Sequence, residues 1–141
     1  MTFVVTYEHS IDDNGRVVLP AKFRAQLPET VFVTLGGNCV ALMAPEAFEQ
    51  RRRKLAESAE DRAVSHRALI ALHSRAEEVK PDKQGRFVIP ERLRARVGLG
   101  AEVVLVGLGD RIEIWDRERW AVAEAAADDA LLAAFEEGFG L

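Results

Sequence analysis

One passage occurs twice in this chain, and that duplication limits what the chain can fold into more than any other feature. Asp12-Asp13-Asn14-Gly15-Arg16-Val17-Val18-Leu19-Pro20-Ala21-Lys22-Phe23-Arg24 aligns with Asp82-Lys83-Gln84-Gly85-Arg86-Phe87-Val88-Ile89-Pro90-Glu91-Arg92-Leu93-Arg94. Asp, Gly, Arg, Val, Pro and the last Arg are identical, and Leu/Ile, Lys/Arg and Phe/Leu are similar. After two extra residues in the second copy the agreement resumes. Val31-Phe32-Val33 matches Val103-Val104-Leu105, Val40 matches Ile112, Leu42-Met43 matches Ile114-Trp115, and Phe48 matches Trp120. A tandem duplication in a chain of 141 residues leaves each copy too short for an ample core of its own, so the two must share one.

Each copy carries the same local signals. Asp12–Gly15 and Asp82–Gly85 are turn chemistry, with glycine supplying the positive φ of a tight reversal. The strands before the turns are expected over Phe3–Ile11 and Glu77–Lys80. Arg16–Leu19 and Arg86–Ile89 follow as short β-branched strands. Pro20 and Pro90 end those strands and suit the start of short helices, Ala21–Leu27 and Glu91–Val97. Two hairpins come next: Val31–Leu35 with Cys39–Met43, and Glu102–Val106 with Arg111–Trp115, the latter joined at Gly107–Asp110. Between the copies, Pro45 opens a helix to about Glu57. Ser58, with Asp61, resembles a capping box for a second helix reaching Arg75. Asp116 caps a last, alanine-rich helix to about Glu137. The organisation is therefore a first module over 1–48, a helical connector over 49–76, a second module over 77–122, and a C-terminal helix with an acidic tail over 123–141. The fold class is α+β, mainly β with peripheral helices.

With 48% hydrophobic and 30% charged residues, the chain has the makeup of a folded globular protein. Charges interrupt every apolar run short of a membrane span, and Met1-Thr2-Phe3-Val4-Val5-Thr6 lacks the basic leader of a secretory signal. The lone Cys39 has neither a disulfide partner nor neighbouring metal ligands, as expected in a reducing cytoplasm. A net charge of −4 runs against a nucleic-acid partner until its distribution is considered. Residues 80–96 hold six basic side chains against two acidic ones, and residues from Arg117 onward hold two against six. Charges beyond a Debye length of about 8 Å are largely screened, so an acidic tail and a basic reading surface can coexist.

Catalysis finds no support. His66 and His73 lie two turns apart on one helix with Glu77 beyond, too far apart for one metal ion without a ligand between them. Gly107-Leu108-Gly109-Asp110 joins two strands instead of opening a helix, so it is not a dinucleotide loop. There is no nucleophile elbow, carboxylate pair or P-loop, and no cofactor or metal site is expected.

The arginines after the two glycines carry the chemistry. A guanidinium presents a planar fork of donors that fits guanine O6/N7 or a phosphate, and it keeps its charge. Arg16 and Arg86 project from hairpin ends where a groove can approach. Asp12 and Asp82, with Gly15 and Gly85, shape the turn: a carboxylate there accepts turn amides or orients the arginine. The competing reading is an internal Asp–Arg pair that pins each turn and touches no DNA. Lys22, Arg24, Arg92 and Arg94 lie on the short helices, as DNA contacts or as ordinary solvated charges. The run Arg51-Arg52-Arg53-Lys54 is open to the same two readings. Phe23 and Leu93 belong to the core.

The duplicated Asp-x-x-x-Arg pattern, Thr6-Tyr7-Glu8-His9 near the start, Val103–Gly107 and Ile112-Glu113-Ile114-Trp115-Asp116 together resemble the MraZ family, regulators at the head of the bacterial division and cell-wall gene cluster. The resemblance covers nearly the whole chain and weakens over 50–76 and after about 125. It implies two AbrB-like swapped-hairpin halves forming a pseudo-dimeric β-barrel with helices outside. It also implies assembly into a homo-oligomeric ring and repression of the protein's own operon. The partner would be double-stranded DNA carrying promoter repeats, and the location the cytoplasm, at the nucleoid. Arg24 and Arg94 match the arginine that the AbrB-like pattern places near DNA. His9 and Val79 stand where single-copy modules often carry an arginine before the turn, so these positions depart from the pattern. The remaining alternatives are an AbrB-like antitoxin, which typically carries one module and a partner-binding tail, and an oligomeric interaction protein that never contacts DNA.

Overall fold

The turns, prolines and β-branched runs shared by the two copies produce matching elements in the computed structural model, which describes residues 3, 5–58 and 62–138. Asp61 of the expected capping box, positions 1, 2 and 4 around the expected first strand, and 139–141 of the tail lie outside these residues. In chain order the elements are β1 (Thr6–Ser10), β2 (Arg16–Val18), α1 (Ala21–Arg24), β3 (Val31–Leu35), β4 (Val40–Met43), α2 (Pro45–Glu57) and α3 (Arg62–Arg75). Then follow β5 (Glu77–Val79), β6 (Arg86–Val88), α4 (Glu91–Val97), β7 (Glu102–Leu108), β8 (Arg111–Asp116) and α5 (Arg117–Glu136).

The strands exchange partners between the halves. The large antiparallel sheet runs β1-β7-β8-β4-β3-β5, and β2 pairs with β6 in a separate ribbon. If each element is replaced by its counterpart in the other copy, the order of the large sheet reads the same backwards. The registers agree as well: Tyr7 faces Leu105 as Glu77 faces Val33, and Val33 faces Leu42 as Leu105 faces Ile114. Each hairpin is thus extended by the first strand of the opposite half.

One core lies between the large sheet and the ribbon with its short helices. Phe3, Val17, Leu19, Phe23, Val33, Leu42, Phe87, Ile89, Leu93, Leu105 and Ile114 are buried together in it. Phe23, expected in the core, meets Phe3 and Tyr7 edge-on at 5.8 and 5.2 Å. A smaller cluster on the far side of the sheet joins Ala41, Met43, Ala47 and Phe48, beneath α2 and α3.

The structure departs from expectation in four places. The strands do not close into a barrel: among the described residues β1 and β5 remain the edges of an open sheet. The reason is local. Both ribbon strands stop before a proline, and the next amides, on Leu19 and Ile89, donate to the carbonyls of Gly85 and Gly15 at 2.9 and 3.0 Å. Each strand end is thereby committed to the opposite turn and not to β1 or β5. Second, α1 ends at Arg24, because Pro28 disfavours helical backbone at Leu27, whereas α4 runs on to Gly98 in left-handed conformation (φ +66°). Third, β7 extends to Leu108, so the second hairpin turns on Gly109 and Asp110 alone. Fourth, the first strand proper begins at Thr6, with Phe3 joined to the sheet by an isolated bridge to Gly109 and its ring in the core.

Candidate nucleic-acid interface

Each glycine turn is closed by the aspartate that opens it. Asp12 Oδ1 accepts the backbone N–H of Asn14 and of Arg16, both at 2.9 Å, and Oδ2 accepts Arg16 Nε–H at 2.8 Å. Asp82 repeats this with Gln84 and Arg86 at the same three distances. The amides of Gly15 and Gly85 donate to the carbonyls of Asp12 and Asp82. Both glycines have φ near +80° (79° and 82°), a conformation that side chains with a Cβ resist. The backbone hydrogen bond from Arg16, aided by its side chain, holds the Asp12 carboxyl below the usual aspartate range, and Arg86 does the same for Asp82.

The Asp–Arg pair does not consume the arginine. Among the described residues only Nε is bound, so the two terminal nitrogens of each guanidinium keep the fork that a guanine edge or phosphate accepts. Holding Nε at a fixed carboxylate also limits the rotamers the long side chain must give up on binding.

The ribbon sets the direction of both arginines. In its register Arg16 faces Val88, Val17 faces Phe87 and Val18 faces Arg86. Val17 and Phe87 point into the core, so the alternation of a strand sends Arg16, Val18, Arg86 and Val88 to the outer side. The duplicated arginines share one exposed face, in a register that is symmetric about the Val17–Phe87 pair. Val18 and Val88 were not among the expected site residues, although period-2 alternation from a buried Val17 already places Val18 beside Arg16.

The other expected contacts are placed differently. Lys22 is exposed on α1, as Arg92 is on α4. Arg24 and Arg94 are half-buried and cross to the opposite half. Arg24 Nη1 donates to the Lys83 carbonyl at 3.3 Å, and a Cβ on Gly85 would lie 2.9 Å from that nitrogen. Arg94 Nε donates to the Ile89 carbonyl at 3.0 Å, and a Cβ on Gly15 would meet its guanidinium at 2.8 Å. These arginines thus lie under the turns that carry Arg86 and Arg16. His9 and Val79 are half-buried: His9 lies edge-on to Tyr7 at 6.4 Å, and Val79 packs on the core.

Outside the ribbon, the 51–54 run engages its own carboxylates. Arg52 holds Glu49 through two nitrogens (3.0 and 2.6 Å), Arg53 approaches the same carboxylate at 3.4 Å, and Arg51 reaches Asp110 at 3.6 Å. His73 packs edge-on to Phe48 at 6.0 Å. Cys39 is buried, its thiol pushed up by burial and by the nearby Glu113 charge, which makes it a poor nucleophile. Among the described residues no three His, Cys, Asp or Glu side chains gather as a metal site, and no helix is long and apolar enough to cross a membrane.

Comparison with known proteins agrees with the duplicated architecture. A family profile described as "MraZ protein, putative antitoxin-like" matches residues 2–69 and again 72–140. The "Transcriptional regulator MraZ" of Finegoldia magna is 38% identical over 119 residues, covering 84% of this chain and 83% of that protein. Its namesake in Nocardioides sp. is 42% identical over 129 residues, covering 90% and 89%. That of Leifsonia xyli subsp. xyli is 34% identical over 136 residues, covering 96% and 95%. The name these relatives carry is that of a regulator, which is not a class of enzyme. Matched by the profile in both halves and by such relatives over most of its length, the chain belongs to the MraZ family.

Proposed function

We propose that this chain is a sequence-specific DNA-binding transcriptional regulator that represses its own division and cell-wall operon. Its two halves act as an AbrB-like swapped-hairpin pseudo-dimer, a reading supported by the palindromic strand order. The observation that carries the proposal is the outer face of the β2–β6 ribbon, where two Asp-pinned arginines stand in pseudo-twofold relation. A two-stranded ribbon fits the major groove of B-DNA. Arg16 and Arg86 are the base or phosphate contacts, Lys22 and Arg92 flank them, and Arg24 and Arg94 support the turns from beneath. Repeated elements near the promoter are bound by a homo-oligomeric ring, at the nucleoid in the cytoplasm, because linked protomers engage successive repeats at high effective concentration. The unpaired edges β1 and β5 offer strand surface for such assembly. The test is a gel shift with the DNA upstream of the chain's own gene across a salt series. Affinity should fall steeply with salt, as counterion release demands, and competitor DNA of unrelated sequence should not displace the complex. Binding that ignores both salt and sequence would refute the reading.

A further inference from the structure

The face that carries Arg16 and Arg86 carries two more side chains, Val18 and Val88, which neither close a turn nor carry a charge. Val18 is 39% exposed and Val88 48% exposed, each directly across the ladder from an arginine of the other half. A single exposed valine on a protein surface needs no explanation. These two occupy the same position in both copies, alternate with the arginines, and form with them a patterned four-residue surface. Threonine would meet the strand's demand for a β-branched residue with one fewer methyl presented to water.

We propose that Val18 and Val88 are specificity residues, whose methyl groups pack on the C5-methyl of thymine beside the bases gripped by Arg86 and Arg16. The inference rests on the DNA-reading function proposed above and gives it a base preference. Thymine alone presents a methyl in the major groove, whereas cytosine offers there an N4 donor that valine cannot satisfy. Residues i and i+2 of a strand lie about 6.7 Å apart, close to two base-pair steps of about 3.4 Å each. Each valine therefore stands about two steps from the arginine of its own strand. The pseudo-twofold of the ribbon then predicts an element of approximate inverted symmetry, with guanine and thymine in each half.

The experiment uses the full chain and the duplex it enriches from a randomised library. Each thymine of that duplex is replaced singly by deoxyuridine, which differs only in lacking the methyl, and binding is titrated. Substitution at the contacted thymines should weaken binding about fourfold per methyl, the worth of one buried carbon. The Val18→Ala, Val88→Ala double variant should bind thymine and deoxyuridine duplexes alike, while Arg16→Ala should weaken both. Val18→Thr with Val88→Thr keeps the β-branching and one methyl of each pair, so it should reduce the deoxyuridine effect, and it provides a second variant if the alanines disturb the ribbon, with thermal melting as the check. An enriched duplex indifferent to deoxyuridine at every thymine overturns this inference and leaves the DNA-reading function standing. So does a deoxyuridine effect that is undiminished in every double variant that folds. Failure to enrich any duplex overturns the function itself and this inference with it.

Discussion

At the scale of single residues, the aspartate and the arginine of each turn have separable tasks. Arg16→Ala or Arg86→Ala removes the fork and should cost each protomer about 1–3 kcal/mol of operator binding if it reads a base. In gel shifts the loss should multiply across linked protomers while thermal melting stays near wild type. Arg86→Lys keeps the charge and loses the fork, so it should spare a phosphate contact and not a guanine contact. The aspartates should show themselves in pH dependence. Asp12 and Asp82 have lowered folded-state values, so their stabilisation is complete above the ordinary 3.8 and is lost as pH falls through the lowered values. Melting temperatures of wild type and an Asp12→Asn, Asp82→Asn variant should differ by a constant amount above that range and converge below it. Gly85→Ala should destabilise by about 1–2 kcal/mol through its left-handed backbone alone. It should cost more than that, by denaturant titration, because the new Cβ would sit 3.0 Å from the Leu19 carbonyl oxygen, which is backbone and cannot swing aside. The turns were legible in the sequence because the aspartate bonds that close them are made within five residues. The destination of Arg24 was not, since its partner Lys83 lies in the other copy.

At the scale of elements, the duplication is faithful where neighbours are local and diverges where the flanking sequence does. The strand–turn–strand–helix succession could be read from glycine, proline and β-branched residues alone. The different ends of α1 and α4 follow from Pro28 and Gly98, which were visible as residues before their effect was. Copy one is covered by two helices, attached through a small apolar cluster that includes one aromatic stack. Phe48 lies parallel to Phe32 with ring centroids 4.7 Å apart, and the Thr34 hydroxyl donates to the Leu72 carbonyl at 3.3 Å. Phe48→Ala should therefore destabilise by about 3–5 kcal/mol, measured by denaturant unfolding, with helical signal lost before strand signal if α2 and α3 detach as a unit.

At the scale of the whole molecule, sequence patterns could show that two modules exist but not how they pair, because strand pairing across halves leaves no local trace. The same gap explains why the ribbon could not be foreseen as a unit apart from the large sheet. An assembled ring should give a solution mass several times that of the chain's 15.6 kDa, rising again with operator-length DNA. Sedimentation as a monomer at micromolar concentration would count heavily against it. The exchange of strands also has a bearing on synthesis. β1 is synthesised well before β7, the strand it pairs with among the described residues. Until then Tyr7 and the rest of β1 lack the strand they pair with, and β2 waits for β6 in the same way. Non-local pairing of this kind slows folding, so β1 must spend much of translation unpaired, and a ribosome stalled before Glu102 would hold a chain in which β1 has no strand to join.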